Sequence, residues 1–381
     1  MKYLLPLLPL FIGSAMAAPT DLQSSLEKIR REYNLPSLSA ALLQEGEIKH
    51  IASTGVRKLG HEALVTTEDK FHLGSCTKSM TATLLAIYVE EGKLKWDATL
   101  PELFPQLDIH EDYKNVTLEM LLTHRSGMYN GIPFYDEVAE EYRQSQTATQ
   151  DRAITAKHIL KRAPKITPNT VDEYNNTAYV IAAHALELIT KKSWEEMTQE
   201  KIFNPLQMRS CGYGAVSSSE EKSPSAPWGH YKDNSKNGEI IPLQKDNPEM
   251  WGPAGRVHCS LKDWSKYLQI HLDGYLGKDS IIKADRFKKL HEVSAHSQMN
   301  YTSGGWFRIK REWGNGEVFT HTGTNLVNYA WVWLAPNKNA AVMVTTNMGG
   351  DETFKGTDET LDKTSEAVDK AVGVVIDKYL R

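Results

Sequence analysis

Three groups of polar residues have the types and spacing needed for acyl transfer through a serine. Ser75 and Lys78 stand three residues apart at the start of an apolar run that continues to Val89. A serine hydroxyl becomes a nucleophile when a neighbouring base takes its proton, and a lysine amine is such a base once burial lowers its pKa. The free N–H groups at the start of a helix also favour a developing anion. The same spacing occurs at Ser25 and Lys28, Ser219 and Lys222, and Ser280 and Lys283. Partners elsewhere in the chain must therefore decide which serine reacts.

The second group is Tyr174-Asn175-Asn176, which follows a proline turn and precedes a helical pattern. Residues two apart in an extended segment point to the same side, so Tyr174 and Asn176 can reach one cleft. A tyrosine near a lysine can carry a proton, and an asparagine both donates and accepts hydrogen bonds. The alternative is a tyrosine that packs under a turn.

The third group is His321-Thr322-Gly323-Thr324, at the end of a β-rich segment. On a strand His321 and Gly323 share a face, and Gly323 has no side chain to keep a substrate away. The N–H of Thr324 could join that of Ser75 as an oxyanion hole. A histidine has an ordinary pKa of about 6.5, so we expect His321 to hold a substrate carboxylate near pH 6.

The order of the three groups is more specific than any one of them. Together they resemble the serine β-lactamase and penicillin-recognising superfamily, specifically its class C-like branch of β-lactamases, D-alanyl-D-alanine carboxypeptidases and esterases. Five further segments are similar to those of the family: LLTHRSGM at 121–128, NPLQM at 204–208, GPAG at 252–255, GGW at 304–306 and APNK at 335–338. The resemblance covers essentially the whole mature chain.

The resemblance implies a role for each of these residues. Ser75 would be the acylated nucleophile, Lys78 its activating partner and Tyr174 the proton shuttle. The substrate would be bound by Asn176, His321, Gly323 and Thr324. The chemistry needs no metal or other cofactor, and the 13 histidines form no ligand-like cluster in the sequence.

Four positions depart from the family pattern. His321 stands where most class C β-lactamases have lysine, which weakens a permanent grip on a substrate carboxylate. Asn169, Gln207 and Arg256 replace family glycines, and Asn169 is an acceptable replacement if its backbone is left-handed. These departures leave the substrate open.

Hydrophobic periodicity predicts where sheet and helices lie. Strand patterns cluster at 37–43 and 49–53 and again at 317–320, 329–334 and 340–345, while the middle of the chain is largely helical. We expect an α/β (α+β) fold of the β-lactamase/transpeptidase type, in which an antiparallel sheet from both chain ends is flanked by helices and a mainly helical region is inserted. One domain, 18–381, would then comprise a sheet region at 20–74 and 295–381 and a helical region at 75–294.

The first 17 residues read as a signal peptide, with one lysine, a short apolar run and small residues before the cut. We therefore expect an exported protein, periplasmic or secreted, with no membrane span. Cys76 should be a buried thiol, whereas Cys211 and Cys259 could pair in an oxidising compartment. A net charge of -4 without a basic block argues against a nucleic-acid partner. The sequence leaves the oligomeric state open.

The sequence therefore predicts a serine hydrolase that forms an acyl-enzyme on Ser75. Candidate substrates are a D-amino-acid peptide, a β-lactam or a small ester, and His321 favours a peptidase or esterase over an efficient β-lactamase. The alternative is a catalytically inactive penicillin-binding or sensor module on the same fold.

Overall fold

A six-stranded antiparallel sheet built from both ends of the chain lies at the centre of the fold. The computed structural model describes residues 21–217, 223–355 and 358–381, so the predicted signal peptide lies outside the described residues. The strands in the described ranges are β1 (Ser37–Gln44), β2 (Glu47–Gly55), β3 (Lys70–His72), β4 (Gly212–Tyr213), β5 (Gly229–Asp233), β6 (Glu239–Leu243), β7 (Val257–Ser260), β8 (Phe307–Arg311), β9 (Gly316–Thr324), β10 (Tyr329–Ala335) and β11 (Ala340–Thr346). The main sheet has the order β2-β1-β11-β10-β9-β8, which confirms the predicted sheet from both chain ends.

Helices cover both faces of this sheet. Those in the described ranges are α1 (Asp21–Glu32), α2 (Thr77–Glu90), α3 (Leu100–Leu103), α4 (Leu118–Leu122), α5 (Tyr135–Gln144), α6 (Ala148–Lys161), α7 (Asn176–Thr190), α8 (Trp194–Thr198), α9 (Gly252–Gly255), α10 (Leu261–Tyr275), α11 (Ala284–His291) and α12 (Glu359–Tyr379). The two terminal helices α1 and α12 pack on one face, and the helices of the inserted region lie on the other.

The central strands are buried on both faces, because successive side chains alternate between two hydrophobic cores. In β1, Ala41 and Leu43 contribute to the core shared with α2, whereas Leu38, Ala40 and Leu42 face α1 and α12. Strand β11 alternates in the same way and pairs with β1 along its length. This pairing brings the two ends of the chain together and holds β9 and β10 beside the helical region.

The inserted region, predicted to be mainly helical, also contains the four short strands β4 to β7. Strand β3 lies inside the predicted sheet region at 20–74, but it pairs with β7 in a separate three-stranded sheet. In that sheet β3 ends at His72, three residues before Ser75. Strands β5 and β6 form a separate hairpin, whose turn has positive φ at Asn237 and Gly238. The sequence did not show β3, β4 and β7 because their runs of two to four residues are too short for a periodic pattern.

The recurrence of Cys76, Met80 and Leu84 every four residues predicts an amphipathic helix after Ser75, but helix α2 is buried on all sides. Every residue from Thr77 to Tyr88 is buried. The polar side chains on its second face are held by hydrogen bonds: Thr81 Oγ1 donates to the carbonyl oxygen of Pro253 at 2.7 Å, and Thr83 Oγ1 lies 2.9 Å from Tyr267 Oη. Buried polar groups are stable when they are paired in this way.

Cys211 and Cys259 form a disulfide, which resolves the pairing that the sequence left open. Cys211 directly precedes β4 and Cys259 lies on β7, so the bond links neighbouring strands of the small sheet. Cys76 is a buried free thiol, as predicted, and burial raises its pKa. Among the described residues no helix is both long enough and apolar enough to cross a membrane.

Candidate active site

Ser75 lies in a single 3-10 turn, Gly74–Cys76, that leads directly into helix α2. The turn is fixed against the sheet by close backbone contacts. A Cβ on Gly323 would lie 2.0 Å from the carbonyl oxygen of Leu73 and 2.7 Å from the backbone nitrogen of Ser75. The absence of a side chain at Gly323 therefore lets strand β9 pack against the serine turn, and the predicted role of Gly323 in leaving room for a substrate stays a prediction.

Gly74 makes the reciprocal contact. Its φ is +50°, and a Cβ there would lie 2.2 Å from the backbone nitrogen of Thr324. The backbone nitrogens of Ser75 and Thr324 thus belong to two segments in direct contact at the head of α2. Two N–H groups held side by side at a helix start are suited to stabilise an oxyanion.

Lys78 is fully buried, one helical turn after Ser75. Its Nζ lies 3.2 Å from Ser75 Oγ, 2.6 Å from Asn176 Oδ1 and 2.7 Å from the carbonyl oxygen of Ala254. Burial lowers the pKa of Lys78 well below its ordinary value. A neutral amine donates to Asn176 and Ala254 with its two hydrogens, so its lone pair is left for the Ser75 proton. The geometry therefore suits a general base.

Tyr174 and Asn176 reach the same cleft as Ser75, as the two-residue spacing predicts. The Tyr174 hydroxyl hydrogen-bonds to Ser75, and its ring centroid lies 4.7 Å from Lys78 Nζ. Burial raises the pKa of Tyr174, so the phenol is protonated at neutral pH. Lys78 is thus the base that can start the reaction, and Tyr174 can pass a proton onwards.

His321 lies on β9 and faces the cleft, but its charge differs from our expectation. Burial, followed by the nearby Lys78 amine, lowers the pKa of His321 to about 4. Its Nδ1 lies 2.5 Å from the carbonyl oxygen of Thr322, to which it donates. The expectation of a charged His321 near pH 6 is therefore wrong for the free enzyme, because the sequence could not show how deeply this strand is buried.

A single cavity of about 760 Å³ brings the predicted residues together. Ser75, Tyr174, Asn176, His321, Gly323 and Thr324 all line it, with Lys78 beneath its floor. Its walls also include five large apolar or aromatic side chains: Trp251, Tyr301, Phe307, Leu326 and Trp331. Among the described residues that line it there is no lysine, arginine, aspartate or glutamate, and the neutral His321 adds no charge.

The LLTHRSGM segment at 121–128, which the sequence marks only by its resemblance to the family, contacts the loop that carries Tyr174. His124 has φ +60°, its Nδ1 accepts the backbone N–H of Asn175 at 3.0 Å, and its ring lies 4.6 Å from that of Tyr174. Arg125 Nη1 donates to Ser294 Oγ at 2.9 Å. This segment therefore fixes the loop that carries Tyr174, and no spacing rule could have shown it.

Asp246 is a second functional candidate that the sequence did not reveal. Its Oδ1 lies 3.0 Å from His72 Nε2, and its Oδ2 accepts from Arg256 Nε at 3.2 Å. His72 Nδ1 in turn accepts the backbone N–H of Gly74 at 3.1 Å. Burial raises the pKa of Asp246, but His72 and Arg256 outweigh it and hold the value below the usual range. A buried carboxylate thus orients the turn that carries Ser75.

We expect Asp246→Ala to lower kcat about 10- to 100-fold with little change in KM, because a small displacement of a nucleophile has an effect of that order. Asp246→Asn retains an acceptor for His72 and should recover part of the loss. Asp377, which pairs with Arg381 on the surface, provides the control Asp377→Ala. Steady-state kinetics with melting temperatures make the comparison. A loss of melting temperature with unchanged kcat would show a structural role only.

The glycine replacements noted in the sequence have a backbone explanation at two positions. Asn169 has φ +68°, which confirms that its replacement of glycine is tolerated in the left-handed region, and Gln207 has φ +53°. Arg256 has an ordinary φ of -121° and instead pairs with Asp246. In the described part of the chain, no group of three or more His, Cys, Asp or Glu residues is placed to hold a metal ion.

Antiparallel sheet, flanking helices and a serine–lysine pair beneath an aromatic cleft define a β-lactamase-related serine hydrolase. The Beta-lactamase family model matches residues 22–364, and the chain belongs to this family. Penicillin-binding protein 4 of Amycolatopsis lactamdurans is 24% identical over 347 residues, which cover 87% of this chain and 86% of that protein. Unguisins hydrolase ungD' of Aspergillus campestris is 27% identical over 256 residues; these cover 65% of this chain but 46% of the hydrolase.

Among solved structures, the D-amino acid amidase of Ochrobactrum anthropi SV3 has a TM-score of 0.71 with this chain. The match covers 94% of this chain and 99% of the amidase at 22% sequence identity. This likeness extends over the sheet and the helical region alike, and it shows the shared fold.

Proposed function

We propose that this protein is an exported serine hydrolase that cleaves uncharged amides or esters, of the D-amino-acid peptide type, through an acyl-enzyme on Ser75. The observation that carries the proposal is the buried Lys78 amine 3.2 Å from the Ser75 hydroxyl. In the first step Lys78 takes the Ser75 proton while Oγ attacks the carbonyl carbon. The N–H groups of Ser75 and Thr324 stabilise the oxyanion, and Tyr174 passes a proton to the leaving group.

Water then completes the reaction. The leaving group departs as an amine or an alcohol, and a water molecule enters the space that it leaves. As this water attacks the ester carbonyl, one of its protons passes to Lys78, with Tyr174 as the carrier. Collapse of the second oxyanion breaks the bond to Ser75 Oγ, which recovers its proton. The acid is released and the free enzyme is restored.

The charge of the cavity supports neutral substrates. A β-lactam or a D-alanyl-D-alanine peptide presents a carboxylate close to the scissile bond, and the part of the lining that the structure describes offers no lysine or arginine to receive it. His321, with a pKa of about 4, is uncharged at neutral pH. A carboxylate would therefore lose its hydration without gaining a counter-charge. The D-amino acid amidase with the same fold acts, by its name, on amides, which have no such carboxylate.

Two observations support the other parts of the proposal. The disulfide between Cys211 and Cys259 is typical of an oxidising compartment and so favours export. Lys78 is buried with its Nζ 3.2 Å from Ser75 Oγ and its pKa lowered, an arrangement that acyl transfer needs and that binding alone does not. An active hydrolase is thus favoured over the sensor alternative.

The test compares a D-amino-acid peptide that ends in a free carboxylate with the same peptide ending in an amide. We expect kcat/KM to be about tenfold or more higher for the amide, which is the scale of one unpaired charge in a partly solvated site. The ratio should not change between pH 5.5 and 8.5, because His321 titrates below this range. His321→Lys should raise the rate for the free carboxylate. Mass spectrometry of the quenched reaction should find the acyl group on Ser75.

Three results would oppose the proposal. Faster turnover of the carboxylate peptide, or of penicillins, would favour a β-lactamase or a carboxypeptidase over the proposed function. Absence of both turnover and acyl-enzyme with the whole panel would favour the inactive module. A ratio of amide to carboxylate kcat/KM that falls steeply as the pH is lowered to 6 would show that His321 becomes protonated when substrate binds.

A further inference from the structure

A second cavity lies directly beside the catalytic one, and none of its residues takes part in the chemistry above. It has a volume of about 490 Å³, within the range of small-ligand pockets. We call it the outer cleft. Its apolar and aromatic lining consists of Ile132, Tyr135, Tyr142, Pro248, Met250 and Trp251, and Arg143 and Asp151 stand at its edge.

The two cavities adjoin, because the segments 130–132 and 247–251 contribute to both linings. Trp251 belongs to both linings. In the first loop Asn130 and Gly131 line the catalytic cavity and the next residue, Ile132, lines the outer cleft. In the second, Asn247 lines the catalytic cavity and the following proline lines the outer cleft.

The first loop is tied directly to the catalytic residues. Asn130 Oδ1 accepts the backbone N–H of Asn176 at 2.9 Å, and the N–H of Gly131 donates to Thr177 Oγ1 at 2.9 Å. Both partners lie in the first turn of α7, and Asn176 is also the residue whose Oδ1 accepts from Lys78 Nζ. The outer cleft is therefore held at a fixed position relative to the reacting bond.

The aromatic floor of the outer cleft is partly exposed. Tyr135 stacks on Tyr142 with ring centroids 5.5 Å apart and planes at 17°, yet Tyr135 remains 50% exposed. An exposed face of a stacked pair can receive a further aromatic or aliphatic group. At the edge, Arg143 is engaged with Glu140 at 2.6 Å.

We propose that the outer cleft binds a second, apolar or aromatic residue of an extended peptide substrate whose scissile bond lies at Ser75. This inference rests on the proposed hydrolase function and specifies its substrate further. The substrate would be a chain of at least two residues rather than a single amino-acid amide. Trp251, between the cavities, would contact the linking part of the chain.

The test uses two series of neutral D-alanyl peptides with amide ends, lengthened by one residue on either the acyl side or the leaving-group side. The added residue is phenylalanine or glycine. In one of the two series, kcat/KM for phenylalanine should exceed that for glycine about tenfold, which is the scale of burying one large apolar group in a pocket. Tyr135→Ser should bring that ratio close to one. Leu276→Ser, at an exposed apolar residue elsewhere, should leave the ratio unchanged.

A second variant gives a positive signal. Tyr135→Arg should shift the preference from an added phenylalanine towards an added glutamate, because it places a cation at the cleft. Equal ratios for phenylalanine and glycine in both series, or a ratio insensitive to Tyr135→Ser, would overturn the inference while leaving the hydrolase function intact.

If wild type turns over none of these peptides, their binding to the Ser75→Ala variant, measured by calorimetry, shows whether the outer cleft receives the added residue. Tighter binding of the phenylalanine peptide that depends on Tyr135 would then support the outer cleft and count against the hydrolase. Equal binding of the phenylalanine and glycine peptides would overturn the outer cleft as well.

Discussion

Ser75→Ala should abolish labelling by a fluorophosphonate probe and lower kcat for neutral esters by about four to six orders of magnitude, the scale found when a nucleophile is removed from a catalytic unit. The physical reason is that, among the serines that the structure describes, only Ser75 combines a helix start, a buried amine at 3.2 Å and a hydrogen-bonded tyrosine. Gel fluorescence and intact-protein mass spectrometry measure labelling, and steady-state assays measure turnover.

Two of the other serines that share the Ser-x-x-Lys spacing provide matched controls, and the third, Ser219, lies outside the described residues. Ser25 is exposed on α1, where its Oγ donates to the carbonyl oxygen of Asp21, and Ser280 lies in a surface turn outside the catalytic cavity. Ser25→Ala and Ser280→Ala should label and turn over like wild type. An acyl group found on either serine, or labelling that survives Ser75→Ala, would overturn the assignment of the nucleophile.

The sequence predicts the fold and the site residues well where it carries a pattern. The strands at both ends are runs of mostly apolar residues over five or more positions, which is sufficient to predict the sheet. The three polar groups were predicted to converge, and Ser75, Tyr174 and His321 line one cavity. Convergence of this kind can be inferred from the order of motifs even when no single motif is specific.

What the sequence could not predict depends on burial and on contacts between distant segments. The pKa of His321 falls because β9 is covered on both sides, a property of the folded molecule. Asp246 comes from a loop rich in Lys and Asn, where no periodicity marks it, and its function follows only from its contact with His72. The second face of α2 is polar in the sequence, and it can be buried because Thr81 and its neighbours find hydrogen-bond partners about 170 residues away in the chain.

Replacing Lys78 with methionine should be almost as severe as removing Ser75, because residues that act as one unit have strongly non-additive effects. Lys78→Met keeps a long unbranched side chain but removes the amine that takes the Ser75 proton. We expect acylation to fall by about three orders of magnitude or more. Circular dichroism and melting curves show whether the fold is retained. Lys28→Met, at an exposed position on α1, is the matched control.

The pH dependence of the wild type tests the same role independently. Burial lowers the pKa of Lys78, so the amine is neutral and able to accept a proton at pH values where an ordinary lysine is charged. As pH falls through the lowered pKa, the amine becomes an ammonium ion and activity is lost. As pH rises, no further deprotonation of Lys78 is needed, and the raised pKa of Tyr174 keeps the phenol protonated. Pre-steady-state acylation with a neutral ester should therefore show an acidic limb that levels off well below the ordinary lysine pKa of about 10.4. A limb still rising near pH 10, the ordinary pKa of lysine, would mean that Lys78 is charged at rest and that another group takes the serine proton.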